Sequence, residues 1–186
     1  MNPVITMTKT VSNTMRTIRI EKLTLNFGAG KDQNLLIRGV ALLKHVTGIE
    51  PVKTVTQKRI PAWGLRPGLP IGCKITLRGK EVEELLARLL AARENRLTET
   101  NFDDNGNVSF GIKEYVEIPG IKYKPEIGIL GLQATVTLER PGFRIKKRRI
   151  KPAPVPLHHR IPRPEAITFM KSKFNVKLGD EDEASA

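Results

Sequence analysis

The segment over residues 51–79, PVKTVTQKRIPAWGLRPGLPIGCKITLRG, constrains the fold most, because two alternating stretches flank a decapeptide holding three prolines and two glycines. Proline fixes φ and lacks an amide donor, so residues 61–70 cannot extend a strand and read as a stiff, projecting loop. Residues 71–78 set Ile71, Cys73, Ile75 and Leu77 on one side and Gly72, Lys74, Thr76 and Arg78 on the other, the pattern of a strand with one buried face. Residues 52–60 also return to period two, which predicts a second strand. Lys53, Lys58, Arg59, Arg66, Lys74 and Arg78 are cationic, and the segment contains no acid. Solvated faces usually mix signs, so this patterning suits a polyanion.

The remaining chain supplies a layer for those strands. Residues 17–27 alternate, with Leu23, Leu25 and Phe27 opposed to Thr24 and Asn26, and stop at GAGKD. Asp32 is a plausible N-cap for a helix carrying Leu36, Val40 and Leu43 and closing on Gly48, with Gly39 as a weak point. A second helix is expected over residues 81–96, where Val82, Leu85, Leu86, Leu89 and Leu90 form one stripe. The Asn105-Gly106 turn leads into an extended stretch, and residues 132–140 alternate Leu132, Ala134, Val136 and Leu138 against Gln133, Thr135, Thr137 and Glu139. Strands that outnumber helices without strict interleaving predict an α+β fold: a mostly antiparallel sheet, two-layer, with helices packed on one face. The other face is then free for a ligand.

Residues 143–163 carry eight Lys and Arg, no acid, and four prolines, which predicts a basic C-terminal extension lying on a partner instead of joining a packed core. Pro164 opens a short terminal helix with Ile167, Met170 and Phe174 at helical spacing. The expected organisation is a flexible leader over residues 1–15, a single RNA-binding domain over 16–178, and an acidic disordered tail over 179–186. The 32 Lys and Arg against 19 acids give a net charge of +13, which attracts phosphate backbones. Aromatic residues make up only 5%, so shape and backbone contacts are favoured over base stacking. One cysteine excludes an intrachain disulfide and a multi-thiolate zinc site, and no run is long and apolar enough for a membrane helix. A cytoplasmic protein is expected.

Catalytic patterns fail on inspection. GAGK lacks the nucleotide-binding loop's first glycine, replaced by Leu25, and its hydroxyl residue, replaced by Asp32. Of the three histidines, His45, His158 and His159, the last two have no acidic orienter nearby in sequence, Cys73 falls on an apolar side, and Asp103 and Asp104 sit at a turn. Neither enzyme activity, nor a cofactor, nor a metal, nor a small-molecule substrate is expected. A general RNA chaperone or RNA-binding regulator remains an alternative to a permanent structural role.

The blocks LNFGAG, VTGIEPVKTVTQKRIPAWGLRPGLPIGCKITLRG and FDDNGNVSFGIKE, in this order and spacing, resemble the large-subunit ribosomal protein five family, which binds 5S rRNA. The resemblance runs from about Arg16 to Leu178, and YKPEIGILGLQATVTLERPGFRIKKR with HRIPRPEAITFMKSKFNVKL is similar to the archaeal and eukaryotic branch. It implies a structural ribosomal protein of the central protuberance. The implied partners are 5S rRNA, 23S rRNA, P-site tRNA, neighbouring ribosomal proteins, and small-subunit protein thirteen across a subunit bridge.

By motif match, Asn26 and Thr76 fall where the family hydrogen-bonds 5S rRNA, whereas the bacterial pattern has glutamine where this chain has Ile49. The residues themselves add Lys53, Lys58, Arg59, Lys74 and Arg78 as phosphate partners, and Thr54 and Thr56 as short donors beside Asn26 and Thr76. The resemblance assigns the loop residues Trp63, Gly64, Leu65 and Arg66 to the tRNA. Further rRNA contact is expected from Arg144, Lys146, Lys147, Arg148, Arg149, Lys151, His158, His159 and Arg160.

Overall fold

A computed structural model describes residues 13–79 and 81–179. In chain order the elements are β1 (Arg19–Gly28), α1 (Gln33–Thr47), β2 (Val52–Val55), β3 (Pro70–Leu77), α2 (Glu81–Ala91) and β4 (Arg96–Leu97). They continue with β5 (Asn107–Ile112), β6 (Leu132–Glu139), α3 (Arg144–Lys147), α4 (Arg163–Phe174) and β7 (Lys177–Leu178). Five strands form one sheet in the order β2-β3-β1-β6-β5, and every neighbouring pair in it is antiparallel. A short parallel pair, β4 and β7, lies outside it. The fold is α+β.

Leu23, Leu25 and Phe27 of β1, Cys73 and Ile75 of β3, and Ala134 and Val136 of β6 are buried beneath Leu36, Leu42 and Leu43 of α1 and Leu86, Leu89 and Leu90 of α2. This cluster is the core, and Ala166 and Met170 of α4 join it. Asp32 starts α1 by accepting hydrogen bonds from the backbone N–H of Asn34 and Leu35, at 2.9 and 3.3 Å. Gly48, at φ +74°, ends it, because an L side chain is strained in that left-handed conformation.

Several boundaries move. The strand expected over residues 52–60 stops at Val55, since the β2–β3 register shifts after Thr54, and Lys58 and Arg59 therefore lie in the loop. The helix expected to reach Arg96 ends at Ala91, where Asn95 donates its N–H to the Leu90 carbonyl and Glu94 and Asn95 both take positive φ. Residues 14–16, partly within the expected leader, form a 3-10 turn capped by Asn13. The leader's first twelve residues and the tail from Asp180 lie outside the described residues, although Gly179 donates to the Leu97 carbonyl.

The basic extension is not a bare extended strand. It contains α3, buries Val155 and Ile161, and folds back on the domain. Arg140, itself buried, organises it by donating to the carbonyl of Arg160 at 3.2 Å and pairing with Glu165. Charge composition predicts a segment without packing, but two apolar side chains and one buried guanidinium suffice to dock it.

Candidate nucleic-acid interface

Residues opposite one another in an antiparallel ladder share a face. The sheet face away from the helices is therefore legible row by row. Thr76, Thr24, Thr135 and Ser109 stand side by side across β3, β1, β6 and β5, a continuous line of hydroxyls. The next row toward the loop end holds Lys74, Asn26, Gln133 and Gly111, with Val52 of β2 beyond Lys74. Lys22, Thr137 and Asn107 make the row on the other side. Ser109 donates to the Thr135 hydroxyl at 3.1 Å, and the Asn26 amide donates to Gln133 Oε1 at 3.2 Å. These bonds hold the side chains in register.

The floor carries few net charges. Glu139, which continues the Gln133–Thr135–Thr137 side, is balanced by Arg19 at 2.6 Å and by Lys147 at 3.5 Å. Such a surface offers donors and acceptors without a dense positive field, and so favours folded RNA presenting 2′-hydroxyls and base edges. Gly72 belongs here too. A Cβ on it would lie 2.6 Å from the Phe27 carbonyl oxygen and 3.1 Å from Thr54 Oγ1, so only glycine lets Thr54 lie over this strand.

Among the candidate residues, the structure brings together Asn26, Thr54, Lys74 and Thr76. Arg78 is exposed just past the end of β3. Lys53 does not join them, because it pairs with the buried Cys73 and so points toward the helix layer. Thr56 is buried; its hydroxyl donates to the Leu69 carbonyl at 3.2 Å, and its own carbonyl accepts from Gly68 at 2.8 Å. It braces the neck of the loop instead of lining the face. Lys58 and Arg59 are exposed at the loop's base.

The loop projects from the end of the sheet opposite to Arg78, since it joins the last residue of β2 to the first of β3. Ile60 and Leu65 pair backbone to backbone across it, Leu65 is buried, and Trp63 is 67% exposed. Gly64 turns the chain at φ +68°. Trp63 and Arg66 thus face solvent, while Leu65 anchors.

At the other end, Thr76 and Arg78 share a cleft of about 710 Å³ with Thr47, Ile49, Glu81, Glu84 and Arg88. Arg88, one helical turn beyond Glu84, was not apparent from the sequence as a contributor. Of the basic extension, Arg144, Lys146, Arg148, Arg149, Lys151, His158 and Arg160 are exposed. Lys147 is engaged with Glu21 and Glu139. His159 is half-buried, donating from Nε2 to the Pro141 carbonyl at 2.9 Å and meeting the Phe143 ring edge-on at 5.8 Å. Those two are committed to the fold.

Gln133, Thr135, Ser109 and Asn107 complete the face, yet sequence reasoning gave them no role. Their alternation marked one polar side of each strand; only the ladder sets those sides beside Asn26 and Thr76. Two titrating groups are displaced. Burial pushes the Cys73 thiol up to about 11, and the Asn107 side-chain hydrogen bond, foremost, holds the Asp103 carboxyl below its ordinary value. Among the described residues no grouping of three or more His, Cys, Asp or Glu side chains is placed to hold a metal ion, and no helix is long and apolar enough to cross a membrane.

Residues 13–66 match the family described as ribosomal protein L5, and residues 70–176 match the description of the same ribosomal family's C-terminus. The large ribosomal subunit protein uL5 of Sulfurisphaera tokodaii is 48% identical over 92% of this chain and 97% of its own length. The namesake proteins of Sulfolobus acidocaldarius and Nanoarchaeum equitans are 46% and 47% identical, covering 89% and 88% of this chain and 93% and 97% of theirs. These relatives are archaeal. With matches that span both halves of the molecule, this chain belongs to the ribosomal protein L5 family.

Proposed function

We propose that this chain, a non-catalytic structural protein of the large ribosomal subunit in the cytoplasm, docks its open sheet face on 5S rRNA in the central protuberance. The observation that carries the reading is the continuous polar floor, Thr76–Thr24–Thr135–Ser109 beside Lys74–Asn26–Gln133, bounded by Arg78 and by the cations of α3. Short hydroxyl and amide side chains reach sugar hydroxyls and base edges, while the peripheral cations neutralise phosphates.

The two ends of the sheet divide the remaining contacts. The loop with Trp63 and Arg66 reaches P-site tRNA, and the exposed cations of the basic extension supply further rRNA contact, to 23S rRNA and, where they border the sheet, to 5S rRNA. Neighbouring proteins of the protuberance and small-subunit protein thirteen complete the partners. Support for these comes from the family and from the exposure of the residues concerned.

The test is binding of 5S rRNA by the purified chain across a salt series. The logarithm of the binding constant is expected to fall linearly with the logarithm of salt, with a slope of roughly 0.7–0.9 per phosphate neutralised. A constant that ignores salt, or one equal for unrelated RNAs, would overturn the reading.

A further inference from the structure

A cavity of about 300 Å³ opens at the margin of the floor, lined by Asn105, Asn107, Phe143, Lys146, Val155 and Arg160 among others. Asn107 shares its row with Lys22 and Thr137, so the cavity continues the polar face. Its walls are apolar: Val155 is buried and the Phe143 ring half-buried. Its polar groups are oriented. Asn107 Nδ2 donates to Asp103 Oδ2 at 2.9 Å. A carboxylate only accepts, so the Asn107 amide nitrogen turns toward Asp103 and its Oδ1 remains available as an acceptor.

Charge gathers on the lining. Lys146 is exposed, and Arg160 is held by its Nε donating to the Val155 carbonyl at 3.3 Å. Apolar walls, amide acceptors and cations together are what an extruded nucleotide requires: walls for the base, carbonyls for its amine, cations for its phosphate. The volume lies at the low end of the roughly 300–1,000 Å³ typical of small-ligand sites, which admits one base and excludes a duplex.

We propose that this cavity receives a single unpaired nucleotide of the RNA docked on the sheet, selecting a base with an exocyclic amine, adenine, cytosine or guanine, over uracil. The proposal rests on the reading of the open face as an RNA platform. The amine donates to Oδ1 of Asn107, and Lys146 and Arg160 contact the flanking phosphates.

Large subunits assembled with the wild-type chain, Asn107→Leu or Phe143→Ala are probed with dimethyl sulfate for adenine and cytosine and with kethoxal for guanine. One unpaired nucleotide protected by the wild type should regain reactivity by roughly fivefold in the variants, the loss of about one hydrogen bond, while protection by the floor persists in Phe143→Ala, whose side chain is not part of the floor. A floor footprint with identical patterns in all three proteins would overturn the cavity alone. Absence of any floor footprint in the wild type would instead overturn the platform reading, and the cavity proposal with it. As a check independent of docking, AMP, CMP and UMP are titrated into the isolated full chain while the Asn105 and Asn107 side-chain amide resonances are followed. AMP and CMP should shift them at lower concentration than UMP, and equal or absent shifts would overturn the selectivity.

Discussion

Gly39 of α1 lies directly against the Phe27 ring of β1: a Cβ placed on Gly39 would fall 2.2 Å from Phe27 Cδ1 and 2.5 Å from Cε1. The glycine that local propensity marks as a weak point in the helix is a place where helix layer and sheet approach closely. Phe27 in turn pairs with Cys73 in the β1–β3 ladder, so this contact helps fix the height of α1 above the strand whose other side carries Lys74 and Thr76.

Gly39→Ala tests that contact. On an open helix surface the change would stabilise by about 1 kcal/mol, but overpacking a filled core costs about 1–3 kcal/mol. A lower urea midpoint is expected. A raised midpoint would mean that the Phe27 ring swings aside at little cost.

The open face separates two lysines that the sequence groups together. Lys74→Ala should reduce the salt slope of 5S rRNA binding by roughly 1, whereas Lys53→Ala, on the helix side, should leave it nearly unchanged. Equal effects would mean that charge acts without regard to face. Thr76→Val should weaken binding by about 1 kcal/mol through a lost hydrogen bond without lowering thermal stability, because Thr76 is exposed.

At the opposite end, replacing Trp63 and Arg66 together with alanine should spare 5S rRNA binding and disturb tRNA contact in assembled ribosomes. The Ile60–Leu65 bridge and the Thr56 brace hold the loop's neck independently of its tip. Loss of 5S rRNA binding in this variant would assign the loop to the wrong partner.

Burial of Cys73 gives a pH signature. Its thiol rises from an ordinary 9.0 to about 11, so folding favours the neutral form. The stability this contributes is fully present below pH 9.0 and is lost as pH rises toward 11. Cys73→Ala should flatten part of that alkaline loss in chemical unfolding curves. In the native wild type, thiol-reactive dye at a pH of about 8, below the ordinary thiol value, should label slowly and accelerate in urea; fast native labelling would show that the strand opens readily.

Much of the layer was legible. Asp32, Gly48 and the helical spacing of Leu36, Val40 and Leu43 define α1 from sequence because capping and helical period are local properties. The alternation over residues 132–140 names its buried side correctly for the same reason, as successive strand side chains point to opposite faces. Where expectation failed, a non-local contact intervened: Arg140 docks the basic extension from another element, and the β2–β3 register shift ends a strand whose period continues in the sequence.

The sequence alone determined that this protein has a two-layer α+β core, a strongly basic balance and a proline-stiffened loop, since each follows from composition or from residue chemistry within a few positions. The tertiary structure decided which residues make the face. Thr135 and Ser109 join Thr76, and Lys53 leaves Lys74, because strand order and register are set by long-range packing that no local pattern encodes.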